Sequence, residues 1–317
     1  MSLSFAEITA ARARIAPHIT RTPVLVHEGI DAECGAQLFF KCENLQAAGA
    51  FKTRGACNAI FALSPEQAAR GVVTHSSGNH GAAIARAAQR RGIPAHIVMP
   101  HNAPQAKIRN VQGFGGRVVF SEPNLTAREA ACAAIVAATS ARLIHPFDDY
   151  DVMAGQGTAT VELLEDAPAL DFLLAPVGGG GLLSGSAIAG RHLRPELRVI
   201  GVEPALADDV AQSFRARRRI AIASAPTIAD GLRTNLVGEK TFPLILENVA
   251  DIVTVSEAEI VAAMRELWEK LKLVVEASSA VPFAAVRAGK VDVRGRHVGL
   301  ILTGGNVDLD QVPWLKT

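Results

Sequence analysis

From residue 71 onward the chain repeats one pattern: a short apolar run, a break rich in Gly, Ser or Pro, then an Ala-rich stretch with helical spacing. GVVTHS (71–76), AHIVMP (95–100) and RVVFSE (117–122) predict strands, followed by helices over 79–91, 104–112 and 126–139. RLIHP (142–146) closes this series as a further strand. The pattern then resumes with a helix over 153–166 and strands at DFLLAPV (171–177), RVIGVE (198–203), DIVTVS (251–256) and VGLILT (298–303). Strands that are apolar along their whole length are buried on both faces, and the intervening helices cover them. The fold class is therefore α/β and doubly wound, with more strands than one sheet comfortably holds. Two lobes are expected. Residues 71–148 make a compact small domain, and 1–70 with 149–317 make a large one, so the chain crosses over twice. A ligand is expected between the lobes, beyond the carboxyl ends of the strands.

Composition removes several function classes. The chain carries 32 Lys and Arg against 31 Asp and Glu, a net charge of +1, so neither nucleic acid nor another polyanion is an expected partner. The one dense basic run, RARRRI (215–220), reads as a solvated face. No uncharged apolar stretch is long enough to span a membrane, and the N-terminus reads as an amphipathic helix capped by Ser4 and Glu7 rather than a signal peptide. The four cysteines form no CxxC pair, which fits reduced thiols in a cytoplasmic protein.

Three loops and one lysine carry chemistry. APVGGGGLLSG (175–185) joins a strand to a helix, and four consecutive glycines leave backbone N–H groups with nothing in front of them. At a helix N-terminus that is a phosphate cradle. The spacing does not fit a dinucleotide fingerprint, since Gly178 and Gly180 are followed by Leu183. Glu203 at the end of the next strand keeps a nicotinamide-dependent oxidoreductase open as a rival of a different class. THSSGNHG (74–81) is a second strand-to-helix loop, either an anion site or an ordinary Ser/Asn cap. LTGGNVD (302–308) is the third. In GAFKTRGA (49–56), Lys52 sits among Gly, Ala and Phe, an apolar niche that a solvated ammonium would avoid.

The sequence resembles the fold-type-II pyridoxal-phosphate enzymes of the serine/threonine dehydratase and serine racemase family. The segments that carry the resemblance are RTPVL (21–25), FKCENLQAAGAFKTRGA (40–56), THSSGNHG (74–81), HPFDDYDVMAGQGT (145–158), VGGGG (177–181), TIADGL (227–232), VVEASSA (274–280) and LTGGNVD (302–308). They occur in the family's order over nearly the whole chain. The resemblance implies a two-lobed fold like that of the tryptophan synthase β chain, with pyridoxal 5'-phosphate between the lobes. Lys52 then holds the cofactor covalently, Phe51 packs beside its ring, and Gly178, Gly179, Gly180 and Gly181 bind its phosphate. Asn79 matches the partner of the ring 3-hydroxyl, and Thr303 faces the pyridine nitrogen. Gly231 and Glu276 fall in segments that line the cofactor. A neutral hydroxyl leaves the ring nitrogen unprotonated, a weaker electron sink that suits elimination.

On the substrate side the resemblance implies a carboxylate cradle of Ser76, Ser77, Asn79 and His80. Arg128 is either a further carboxylate ligand or a solvated helical arginine. Ser77 falls where racemases place the acid/base opposite the lysine; its other reading is a carboxylate ligand or helix cap. EPALADD (203–209) resembles a divalent-cation loop, with Glu203, Ala207 and Asp209 as oxygen ligands suited to Mg²⁺ or Ca²⁺. The alternative there is an acidic helix start. The expected activity is α,β-elimination of a small β-hydroxy amino acid, L-serine or L-threonine, to a 2-oxo acid and ammonia. Serine racemase and threo-3-hydroxyaspartate dehydratase stand as alternatives, and a non-catalytic binding module as a further class. The chain ends soon after LTGGNVD, so no appended regulatory domain is expected, and relatives suggest a homodimer.

Overall fold

The computed structural model describes residues 3–76, 78–103 and 105–315. Among these, ten strands are β1 (Val24–Leu25), β2 (Gln37–Cys42), β3 (Val72–His75), β4 (Ala95–Pro100), β5 (Arg117–Ser121), β6 (Arg142–Leu143), β7 (Phe172–Pro176), β8 (Arg198–Pro204), β9 (Asp251–Val255) and β10 (His297–Leu302). They form two sheets, of order β1-β2-β10-β7-β8-β9 and β5-β4-β3-β6. The smaller sheet is parallel throughout. In the larger one only β1 departs, pairing antiparallel with β2. The chain builds β1 and β2, leaves to make the whole smaller sheet, and returns through the helix Tyr150–Asp166 to complete the larger one.

Burial explains why the larger sheet reads as unbroken apolar runs. Leu174, Ile200 and Leu300 belong to one core, packed with Phe40 and Phe283. Their immediate neighbours Leu173, Val199 and Ile301 belong to a second core on the opposite face, with Leu183 and Ile245. Successive side chains alternate across a strand, so both faces must be apolar when helices cover both. The smaller sheet repeats the arrangement: Val72 and Ile97 pack on the Ala-rich helix Asn79–Arg91, and Val73 and Val98 on the helix Leu125–Thr139.

Two local expectations are corrected. The strand expected over 142–146 stops at Leu143, because His145 Nδ1 accepts the N–H groups of Phe147 (3.3 Å) and Asp148 (2.9 Å) and turns the chain. β2 had no counterpart in the sequence pattern, since Lys41 interrupts it. Lys41 is nonetheless wholly buried, as are Arg54 and Glu43.

These three belong to a charged cluster under the larger sheet. Arg54 reaches both oxygens of Glu43 at 2.7 Å and both of Glu162 at 2.7–2.8 Å. Lys41 Nζ donates to Glu162 Oε2 and to the Thr22 carbonyl, each at 2.7 Å. Two cations face two carboxylates, so the cluster is neutral, and it ties β2 to the helices Lys52–Phe61 and Tyr150–Asp166. No helix of the described residues is long and apolar enough to cross a membrane. The basic run Arg215–Arg219 lies exposed, and the four cysteines are free, three of them buried.

Candidate active site

The carboxyl ends of β3, β7 and β10 open on one cleft of about 600 Å³ between the two sheets. Lys52 enters it from the first turn of its helix. The half-buried amine donates to the Pro146 carbonyl at 2.8 Å and lies 5.2 Å from the Phe51 ring centre. Burial pulls this ammonium down to about 8, against the attraction of the Glu276 carboxyl. A substantial neutral fraction is therefore present near pH 8, and the neutral amine is the nucleophile.

Across the cleft β7 runs into Gly178–Gly181 and the helix Gly181–Leu193. A Cβ on Gly179 would lie 2.3 Å from the Phe147 ring, and Gly180 has φ +95°, so neither position admits a side chain without strain. The Gly179 carbonyl is tied back by Thr241 Oγ1 at 2.7 Å. Among the described residues the N–H groups of Gly178, Gly179 and Gly180 donate to no protein acceptor. Unpaired donors at a helix N-terminus form a cradle for an oxyanion.

The floor is polar and interlinked. Asn79 Nδ2 donates to Glu276 Oε1 at 2.8 Å, while Glu276 Oε2 is buried without a partner among the described residues. Burial, with Asp230 adding, pushes Glu276 up to about 8, against Lys107, Asn79 and Lys52. Thr303 follows β10 directly, and its carbonyl accepts the Phe51 N–H at 2.9 Å. Gly231 donates its N–H to Ser278 Oγ at 3.0 Å. Ser76 lies on the cleft wall, and its hydroxyl accepts the Gly78 N–H at 3.2 Å. His80 is buried, and burial holds its imidazole well below its ordinary pKa. Arg128 is half-buried on the wall, bonded through Nε to the Asn124 carbonyl at 3.4 Å, with no carboxylate in ion-pair range among the described residues. Ser77 lies outside the described residues.

Residues 15–304 match the sequence pattern of the family described as pyridoxal-phosphate dependent enzyme. The chain belongs to that family. It is 47% identical over 311 residues to the beta-hydroxyaspartate dehydratase of Paracoccus denitrificans, covering 98% of each chain. It is 47% identical over 307 residues to the serine racemase of Oryza sativa subsp. indica, covering 95% of this chain and 90% of that one. The solved structure of maize serine racemase is similar at a TM-score of 0.96 and 46% identity, covering 98% of this chain and 95% of that one. The fold is thus that of the fold-type-II pyridoxal-phosphate enzymes. The unpaired glycine N–H groups and the amine of lowered pKa are chemically suited to the family's cofactor, which carries a phosphate and an aldehyde.

Sequence reasoning missed several neighbours of the site. Pro146 supplies the acceptor for Lys52, and Phe147 closes the back of the glycine loop. His75 and His145 stack edge to face with ring centres 5.4 Å apart. Burial, then His145 and Arg128, hold His75 down to about 4, so it is neutral at physiological pH. Lys107 reaches from the smaller sheet's side to form an ion pair with Asp230 over the cleft. The signal for Phe147 was present in the HPFDD segment. The others are pairs distant in sequence with no local signature.

Glu203, Ala207 and Asp209 lie together beside the cleft, all fully buried. Glu203 accepts the N–H groups of Val210 (3.2 Å) and Ala211 (2.9 Å). Asp209 Oδ1 accepts from Thr234 Oγ1 at 3.4 Å, and its Oδ2 is buried without a partner among the described residues. Burial, then Asp209, pushes Glu203 far above the carboxylate range, and burial pushes Asp209 up to about 7. Two buried carboxylates with an unfilled acceptor fit a hard divalent cation that completes its shell with carbonyl and water oxygens. Among the described residues no group of three or more His, Cys, Asp or Glu is arranged to hold a metal ion by itself.

Proposed function

We propose that this chain is an ammonia-lyase that eliminates water and then ammonia from a small β-hydroxy amino acid, with L-serine and L-threonine as the first candidates. The observation that carries the proposal is the Lys52 amine, held at a pKa of about 8 in a cleft that ends on the neutral Thr303 hydroxyl. Pyridoxal phosphate, when bound, withdraws electrons from the α-carbon of the amino acid. Lys52 takes the α-proton on its own face, and its lowered pKa poises it for that transfer near neutral pH. The N–H donors of Gly178–Gly181 hold the phosphate, Phe51 flanks the ring, and Asn79, Gly231, Glu276 and Thr303 line it. Ser76, Asn79 and His80, at the N-terminus of the helix Asn79–Arg91, cradle the α-carboxylate. Ser77 belongs to the same cradle and supplies a proton on the far face, which would give racemisation.

Arg128 favours a second reading, threo-3-hydroxyaspartate. With the α-carboxylate at the helix N-terminus, a half-buried guanidinium lacking a carboxylate is available for a side-chain carboxylate. The assay offers L-serine, L-threonine and L-threo-3-hydroxyaspartate and measures 2-oxo acid and the opposite enantiomer. Arg128→Leu is expected to raise KM for hydroxyaspartate roughly 10- to 100-fold, the worth of one charge-assisted hydrogen bond, and to spare serine. Equal losses on both substrates would remove Arg128 from this role. Failure to release 2-oxo acid from any of the three would overturn the lyase proposal.

A divalent cation, Mg²⁺ or Ca²⁺, at Glu203, Asp209 and the Ala207 carbonyl is part of the proposal. Burial lets both carboxyls keep their protons above the ordinary carboxylate range in the cation-free fold, Asp209 up to about 7. The Asp209 contribution to stability is full at low pH and is lost as the pH rises from the ordinary carboxylate range to about 7. The melting temperature of chelator-treated protein should therefore fall over that window. Added Ca²⁺ or Mg²⁺ should restore it at pH 8 and do little at pH 4; equal effects at both would count against the site. A large domain of 1–70 and 149–317 and a small one of 71–148 is also proposed, supported by the confinement of β3–β6 to 72–143. Limited proteolysis that never releases a stable 71–148 core or its complement would weaken that division. A cytoplasmic homodimer completes the reading, the free cysteines supporting a reducing compartment; a monomer by light scattering would overturn the dimer.

A further inference from the structure

Asn306 does not line the cleft, yet it touches the residue that does. Its Nδ2 donates to the Ala48 carbonyl at 2.8 Å and to Asn79 Oδ1 at 3.0 Å. A backbone carbonyl can only accept, so the Ala48 bond fixes which end of the Asn306 amide is the donor. The atom of Asn79 facing that donor must then be its oxygen. This turns Asn79 Nδ2 toward Glu276 Oε1, 2.8 Å away, with one N–H left over for the cleft. The assignment thus propagates from one carbonyl through two amides to a carboxyl.

The backbone is shaped to make this possible. Ala48 has φ +60°, a conformation that costs energy in a residue with a Cβ, and Gly49 follows at φ +72°. A Cβ at Gly49 would lie 2.4 Å from Asn306 Oδ1, so only glycine leaves room for the Asn306 amide. Gly305 N–H bonds the Gly49 carbonyl at 3.0 Å and locks the two loops together.

We propose that Asn306 is a positioning residue that fixes the Asn79 amide with an N–H toward the cleft, so that Asn79 can serve the cofactor ring's 3-oxygen only as a donor. The inference rests on the pyridoxal-phosphate reading of the cleft. A donor there stabilises the deprotonated oxygen, whereas a carbonyl in its place would hold the proton on. The other charged groups around Asn79 and Glu276 are Lys52, Lys107 and Asp230, and the substitutions below leave all of them in place.

The test is a spectroscopic pH titration of the cofactor-loaded protein and its variants. Asn306→Asp is isosteric but presents only acceptors, so it reverses the Asn79 amide. The apparent pKa of the bound cofactor's visible band is expected to rise by about one to two pH units. Asn306→Ala, which merely frees the amide, should shift it less and in the same direction. Asn79→Asp should reproduce the Asn306→Asp shift, and the double variant should add little to it. Loaded Asn306 variants that titrate with the parent overturn the inference. Should they fail to fold, neutron diffraction of the unsubstituted holoenzyme decides: amide deuterons toward the cleft support it, and Oδ1 toward the cleft overturns it. A parent that develops no visible band with pyridoxal phosphate overturns the proposed function instead, and this inference with it.

Discussion

Lys52→Ala is expected to give a folded protein that turns over its substrate at least about 10²–10⁴-fold more slowly, the usual worth of a positioned proton transfer alone. The true loss should be larger, because the covalent anchor goes with the base. Stability should change little, since among the described residues the amine's one hydrogen bond is to the Pro146 carbonyl and its burial opposes the charged form. Borohydride reduction followed by mass spectrometry should show the cofactor fixed to the parent and absent from the variant. In the cofactor-free parent, the rate of capture of pyridoxal phosphate should rise with pH and level off above about 8, as the ammonium loses its proton. A pH-independent rate, or an active Lys52→Ala protein, would show that another group does this work.

Arg54→Ala should lower the free energy of unfolding by about 3–5 kcal/mol, because it leaves the buried Glu43 with the Thr22 hydroxyl and the buried Glu162 with Lys41 but removes the guanidinium both share. Urea denaturation at neutral pH measures it, and a change below about 1 kcal/mol would mean that water or a rearranged Lys41 replaces the guanidinium. Arg54→Lys should rescue little, since an ammonium cannot grip Glu43 and Glu162 with paired bonds at once. Burial raises the Glu162 pKa, but Arg54 and Lys41 outweigh it and leave the group below its ordinary value. Its contribution is therefore present above the ordinary carboxylate pKa and disappears as the pH falls through the lowered one, so the cluster should be a site of acid weakness.

The same cluster marks where the sequence was hardest to read. β7, residues 199–202 of β8 and residues 298–302 of β10 are buried without a charged side chain and are visible as runs of hydrophobic residues. β2 also packs Leu38, Phe40 and Cys42 into the core, but its run is broken by the buried Lys41, whose partner Glu162 lies 121 residues away, which no local pattern displays. The site divides in the same way. Gly178–Gly181 and Lys52 advertise themselves, because a phosphate cradle needs bare backbone and a nucleophilic amine needs an apolar niche. The bond from Lys52 to Pro146 and the amide chain from Ala48 to Glu276 join segments that meet only in the fold. Family resemblance brought Asn79 and Glu276 to notice without indicating how they are held.

The chain passes between its two sheets twice, once after β2 and once before β7. A single strap would let one body swing in any direction. Two straps define a line, and rotation about that line is the motion they least resist. The Lys107–Asp230 ion pair spans the cleft and adds a third tie between segments that belong to the two sheets.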